Sequence, residues 1–303
     1  MKLLIASAPA IFLLLWSGGF TVAKLGISDA DPLTLLALRY ACVLVILLPF
    51  FLYVRPALPS TRAQWFHLCF VGFLIQVVYF GTAWMAFSHG GSAGTVALIT
   101  SLQPILVALV MPALSQESVS LKRWIGLLLG LLGTTMVLAG NSGIGVVSVT
   151  VLLFAIAALL TFTLATIWEK RFGVAHHPLT SNMLQYGVGL AGTLPLALLL
   201  EPMHISFTVP FLFALGYLVL GNSLLAISLL LMMIRRGEAT RVSALFFLVP
   251  PMSAFIAWLV LDERMAPLAW LGMGVAAIGV WMTTRQKSVP AEKPVIKSSG
   301  EIA

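Results

Sequence analysis

The sequence predicts an all-α integral membrane protein of ten transmembrane helices, arranged as two inverted five-helix repeats. Three observations carry that prediction. Hydrophobic residues make up 60% of the 303-residue chain and charged residues only 9%, against about 25% charged in a soluble domain. Apolar runs of about 20 residues, the length that crosses a bilayer, alternate with short polar breaks. Finally, the chain repeats itself. QESVSLKRWIG (116–126) and DERMAPLAWLG (262–272) carry Glu, Trp and Gly at the same spacing, with an offset of 263 − 117 = 146.

The offset holds along the chain without a gap. Lys24 falls on Lys170, Pro32 on Pro178, Thr34 on Thr180, Tyr40 on Tyr186 and Pro49 on Pro195. Further on, Gly91 falls on Gly237, Pro104 on Pro250 and Gly133 on Gly279. Residues 4–140 therefore form one unit and 149–284 its copy. Residues 285–303 are a polar, basic tail, expected to be disordered and cytoplasmic.

Within the first unit, helices are expected at 4–25, 33–54, 65–88, 91–113 and 122–140. The second gives 149–170, 179–200, 210–234, 238–261 and 267–284. The breaks between them, such as SDADP, RPALPSTR, HGGSAG, FGVAHHP and EPMHISFT, are rich in turn residues. The first run has the makings of a signal peptide. Its partner at 150–171 lies mid-chain, so the segment is expected to stay as a helix.

Lys and Arg set the orientation. With the N-terminus inside, 14 of them fall on the cytoplasmic side and 3 (Lys24, Arg39 and Arg264) on the other. Both termini are thus expected in the cytoplasm. An odd number of helices per unit forces the second copy to enter from the opposite side. Inverted repeats of this kind are frequent in secondary transporters, whose substrates bind near the midplane between the halves. The net charge of +7 serves topology rather than nucleic-acid binding.

LWSGGFTVAKLGISDADPLTLLALRYA (15–41), together with the twice-occurring Glu-x6-Trp-x-Gly, resembles the EamA family of the drug/metabolite transporter superfamily. The resemblance spans residues 5–284. It implies a central cavity lined by helices 1, 3, 4, 6, 8 and 9, and a place in the bacterial cytoplasmic membrane. Helix 6 departs from the pattern, with Phe162 and Thr163 where the first copy has Trp16 and Ser17.

The paired Glu117 and Glu263 suit helix N-termini, where a carboxylate meets unpaired N–H groups. Gly126, Gly130 and Gly133 in helix 5, with Gly272, Ala276 and Gly279 in helix 10, read as a seam for close helix packing. Pro104, and Pro250 with Pro251, fall inside helices 4 and 9. They free the carbonyls of Thr100, Phe246 and Phe247 and are candidate hinges.

Candidate substrate-binding residues are polar and aromatic side chains near midspan. Ser17 and Thr163 are repeat mates, as are Gln76 and Asn222, and Trp16 and Phe162. Thr100 and Gln103 flank the first kink; Ser243, Phe246 and Phe247 precede the second. Gln76, Tyr79 and Phe80 recur at helical spacing on one face. Packing and interhelical hydrogen bonding are the competing roles for all of them. They describe a neutral, amphipathic chamber.

Acidic residues and histidines stay away from helix centres, where a charge persists only for a function. That favours facilitated diffusion or exchange of a small neutral or zwitterionic metabolite, amino acids first and export the favoured direction. A proton-coupled exporter and a lipid flippase are the alternatives. Glu169 is expected in an interfacial cluster with Lys170 and Arg171. Arg39 is expected to pair with Asp29 or Asp31, with a substrate carboxylate as its other use. Cys42 and Cys69 read as buried hydrophobes. Enzyme chemistry, cofactors, metals and nucleic acid are not expected. The partners are the lipid bilayer and a small-molecule substrate, with the chain as a monomer or weak homo-oligomer.

Overall fold

The computed structural model describes residues 2–91, 93–114, 119–141, 148–174, 176–236, 242–261 and 266–285. Glu117, Glu263 and residues 286–303 of the tail lie outside them, with whatever roles the sequence suggests. The first unit comprises α1 (Lys2–Ile27), α2 (Pro32–Val54), α3 (Arg62–Ser88), α4 (93–114) and α5 (Leu121–Asn141). The second comprises α6 (Val149–Phe172), α7 (Pro178–Leu200), α8 (209–236), α9 (244–261) and α10 (Pro267–Arg285). Among the described residues, nine helices are long and apolar enough to cross a membrane; α9, described over a shorter stretch, is the tenth.

Local chemistry sets the ends. Proline opens α2 and α7, where its missing N–H costs nothing. The hydroxyls of Thr61, Ser148 and Thr208 accept N–H groups in the first turns of α3, α6 and α8. Arg55 ends α2 in the left-handed conformation, with φ 45°.

Four interruptions matter for the site. Both α3 and α8 contain a π segment, Phe73–Tyr79 and Leu218–Ala226. Helix α4 breaks at residues 101 and 102, and in α9 a 3-10 stretch, Ala244–Leu248, precedes the α segment. Pro104 and Pro250 each sit second in the α segment that follows. The carbonyl of Phe247, freed by Pro251, accepts a hydrogen bond from Thr134 Oγ1 at 2.8 Å.

Packing follows the two-fold relation of the copies. Mates α2 and α7 lie against each other, and so do α5 and α10; α1 packs on α8 as α6 packs on α3. The glycine seam is where the sequence placed it. A Cβ on Gly272 would meet the Gly133 carbonyl at 2.6 Å, and one on Gly126 the Gly279 carbonyl at 2.7 Å. Only backbone approaching backbone leaves so little room. Leucines such as Leu128, Leu153, Leu199 and Leu271 are exposed on the outer face of the bundle, suited to lipid tails.

Candidate substrate cavity

Five aromatic side chains meet at the centre of the bundle. Trp16 of α1 stacks on Phe162 of α6 at 5.9 Å and lies 6.4 Å from Tyr79 of α3. Tyr79 stacks on Phe162 at 4.6 Å, and Phe246 of α9 meets Phe162 edge-on at 5.1 Å. Phe80 lies 6.1 Å from Trp16. Offset and edge-on rings at these separations attract beyond their area burial. Beside this box are two cavities. One is narrow, with room for about one water between closely set rings, and Trp16, Phe20, Tyr79, Phe80, Trp84 and Phe87 border it with Arg39 and Asn222. The other, equally narrow, reaches Thr100 and Ser101 of α4 and Val249 of α9. The six helices implied by the family resemblance all contribute. Helix α2 joins them through Arg39.

Arg39 corrects the sequence reading. It is fully buried, and it pairs with neither Asp29 nor Asp31. Asp29 accepts from Thr208 Oγ1 at 2.7 Å, and Asp31 from the His204 N–H at 2.7 Å. The guanidinium instead turns into the bundle. Its Nε donates to Ser223 Oγ at 2.6 Å, and its Nη2 to Asn222 Oδ1 at 2.8 Å. Its carbon sits 4.5 Å from the Phe80 ring centroid and 5.8 Å from that of Trp84. Nη1 has no hydrogen-bond partner. Seven residues into α2 is about 10 Å of helix, well within a bilayer's hydrocarbon. The chamber is therefore cationic at one wall, not neutral. Sequence position alone put Arg39 near an end; only packing shows that it bends inward.

The π segments explain two tyrosines that the sequence reading passed over. The Phe80 N–H bonds to Ile75 and Val77 carbonyls and skips that of Gln76. Tyr40 Oη donates to the skipped carbonyl at 2.5 Å. In α8 the Ile227 N–H bonds to Asn222 and skips Ser223, whose carbonyl accepts from Tyr186 Oη at 2.7 Å. Tyr40 and Tyr186 are repeat mates on α2 and α7, with rings 5.7 Å apart. Single-turn π segments of this kind often mark functional sites.

The same π segment displaces Gln76. Its i→i+5 bonding alters the helical phase, so Gln76 leaves the face that ordinary spacing shares with Tyr79 and Phe80. Its Cβ packs over Gly189 of α7, and neither amide atom has a partner. Phe247 also departs: it packs on Gly130 of α5, with Ala108, Leu127 and Val280.

The other predicted residues are buried with mostly local bonds. Thr100 and Thr163 hydroxyls bond back to Val96 and Leu159 carbonyls. Gln103 Nε2 donates to Thr166 Oγ1 at 3.0 Å. Ser17 and Ser243 hydroxyls have no partner. Gly18 and Gly19 of the WSGG stretch make room for Tyr217 and Asn222; a Cβ on Gly19 would sit 3.3 Å from Asn222 Cγ.

Polar ties hold the ends of the bundle. On one face Glu201 accepts from the Leu33 and Thr34 N–H groups at 2.9 and 2.8 Å and from Thr34 Oγ1 at 2.9 Å. On the opposite face Thr180 Oγ1 donates to the Ala57 carbonyl at 3.0 Å. Glu169, only 2% exposed, forms an ion pair with Arg235 of α8. The sequence placed it in an interfacial cluster with Lys170 and Arg171; the ion-pair partner, Arg235, comes from α8. Beside the pair, His67 stacks on Phe172 at 5.2 Å. His176 also sits there, its pKa held below the usual imidazole range by partial burial and then by Arg235, with Glu169 opposing.

Ten helices in two inverted halves, with an aromatic chamber where six of them meet, define a membrane transporter of the inverted-repeat class. The chain belongs to the EamA-like transporter family, which matches residues 3–139 and 149–285. It is similar to the uncharacterized inner membrane transporter YedA of Escherichia coli (strain K12), at 20% identity over 93% of this chain and 91% of that protein. It is also similar, at 23% identity over 90% of this chain and 92% of the relative, to the probable amino-acid metabolite efflux pump of the same strain. A crystal structure with 20% sequence identity matches the fold with a TM-score of 0.74, covering 92% of this chain and 97% of the other.

Proposed function

We propose that this transporter moves a small, overall neutral or zwitterionic metabolite, an amino acid or a close relative, out of the cell by alternating access. The observation that carries the reading is the aromatic box joined to Arg39 and Asn222 at the meeting point of both halves. A chamber with apolar walls and few polar groups suits a small organic solute. The relative named as an amino-acid metabolite efflux pump supports the same class. The interruptions at Pro104 and at Pro250 and Pro251 are the hinges about which α4 and α9 swing. Both termini lie in the cytoplasm, so Glu169 and Arg235 close the cytoplasmic end and Glu201 ties the outer one. Among the described acids, Glu169 is held by Arg235 and Asp29, Asp31 and Glu201 serve loops and helix ends. Transport by facilitation or exchange fits that placement better than a proton relay.

A groove between α7 and α8 supports the second reading, a lipid flippase. Its volume is about 390 Å³, with His176 and Arg235 at one end and Leu229, Leu231 and Met232 along it. Counterflow of labelled amino acids into proteoliposomes, with and without a pH gradient, separates the readings. Saturable flux indifferent to the gradient is the expected result. Gradient-driven flux makes the protein a proton-coupled exporter, with Glu169 the first residue to replace. No flux, with scrambling of labelled lipid, makes it a flippase.

A further inference from the structure

We propose that Arg39 is the carboxylate-binding anchor of the cavity, and that the solutes recognised are monocarboxylates with an apolar body, their amino group not required. This rests on the transport reading above; it keeps the carboxylate of the zwitterionic solutes as the recognised group and extends the class to monocarboxylates without an amine.

Four observations converge on Arg39. It lines the cavity beside the aromatic box and is fully buried. Its hydrogen-bond partners, Asn222 and Ser223, are neutral, so the positive charge has no carboxylate against it among the described residues. Its Nη1 is buried without a hydrogen bond. Finally, its repeat mate is Gln185.

The mate separates a ligand role from a scaffold role. Helices α2 and α7 occupy equivalent places, and α7 packs with an uncharged side chain there. The architecture therefore does not require a cation at this depth, and a charge at depth is retained for a function. The aromatic faces are equally one-sided. Phe80 and Trp84 flank the guanidinium, whereas their mates are Ala226 and Leu230. The neighbouring rings and the hydrogen bonds that Nε and Nη2 donate hold the guanidinium in place. An anion meets a preset fork, which fits a carboxylate by paired N–H donors. Beyond it, Phe20 and Phe87 extend an apolar wall for the rest of the solute. No carboxylate lines this cavity to meet an ammonium group, so the acid end carries recognition.

The test is calorimetric titration of the purified full chain in detergent with phenylacetate, phenylacetamide and phenethylamine. Phenylacetate is expected to bind saturably, and the amide and amine about tenfold or more weakly, the size of losing a charge-assisted hydrogen-bond pair. Arg39→Gln installs the residue that α7 tolerates and should erase the preference for the acid; Arg39→Lys should keep the preference with weaker binding. Equal binding of acid and amide to the wild type, no saturable binding of the acid, or an unchanged preference in a folded Arg39→Gln protein overturns the proposal. The wild-type comparison decides the matter even where a variant does not fold. Counterflow with the same preparation keeps the two readings apart. Saturable flux without acid preference sinks the anchor alone; acid-selective binding without flux of any solute sinks the transport reading alone.

Discussion

Helices α2 and α7 come from the same ancestral segment and lie against each other, and one turn shows both what they share and what they do not. Each carries a tyrosine that satisfies the carbonyl skipped by a π segment, Tyr40 for α3 and Tyr186 for α8. The preceding residue is Arg39 in one and Gln185 in the other. Arg39 reaches Asn222 and Ser223. Both amide atoms of Gln185 are buried without a partner, and its backbone and side chain crowd Gly72 of α3. The halves agree where the backbone makes a demand, because an unpaired carbonyl in hydrocarbon is costly in either copy. They differ where a side chain faces the chamber. At this turn, agreement between mates marks scaffold and disagreement marks candidate chemistry.

That comparison can be broken by treating mates alike and measuring whether they respond alike. The largest effect is expected at the seam. Gly133→Leu and Gly279→Leu should each lose folded protein, at a cost of about 3 kcal/mol or more, because the overpacked atoms are backbone and cannot yield. Thermal melts in detergent would show it, and a seam that tolerates one of the two is not symmetric. Next is the divergent turn. Arg39→Leu should cost about 1–3 kcal/mol by leaving Asn222 and Ser223 without their donor, while Gln185→Leu should be neutral or stabilising because it removes an unpartnered buried amide. Equal losses in the two variants would mean that Gln185 has a partner, an ordered water being the first to seek. Tyr40→Phe and Tyr186→Phe should each cost about 1–2 kcal/mol and match one another, since each exposes one skipped carbonyl; a twofold difference between them would separate the two π segments.

The smallest effect belongs to the face bearing Glu169 and Arg235. The His176 pKa is lowered in the folded protein, so the unfolded chain binds the proton more readily. Stability should therefore fall slightly as pH drops below the ordinary imidazole value of about 6.5. Above that value the group contributes nothing. Replacement by Gln should flatten the slope; an unchanged pH profile would assign it to other groups.

Much of the scaffold was legible in the sequence, and the reasons are one-dimensional. Apolar length gives the spans, and their number per unit fixes the inversion. Glycines spaced as Gly126, Gly130 and Gly133 mark a face wherever the helix goes. Trp16 and Phe162 were legible as a pair because duplication put them at the same depth. Tyr79, Phe80 and Phe246 join them in the box, although Tyr79 ends a π segment and Phe246 lies in a 3-10 stretch. Gln76 and Phe247 were misplaced because a π segment and a 3-10 stretch alter the phase on which such reasoning depends. The partner of Glu169 was not legible because Arg235 lies 66 residues away.

The sequence by itself determined that this chain crosses a membrane in two inverted halves with an uncharged aromatic centre to its helices. Hydrophobic length, charge bias and repeat offset are properties of the chain that need no coordinates. Only the tertiary structure decided that one cation enters that centre. Arg39 lies seven residues past the start of its helix, and a long side chain there can turn back toward water or into the core. The neighbours decide which, and here Asn222, Ser223 and the face of Phe80 hold it inside.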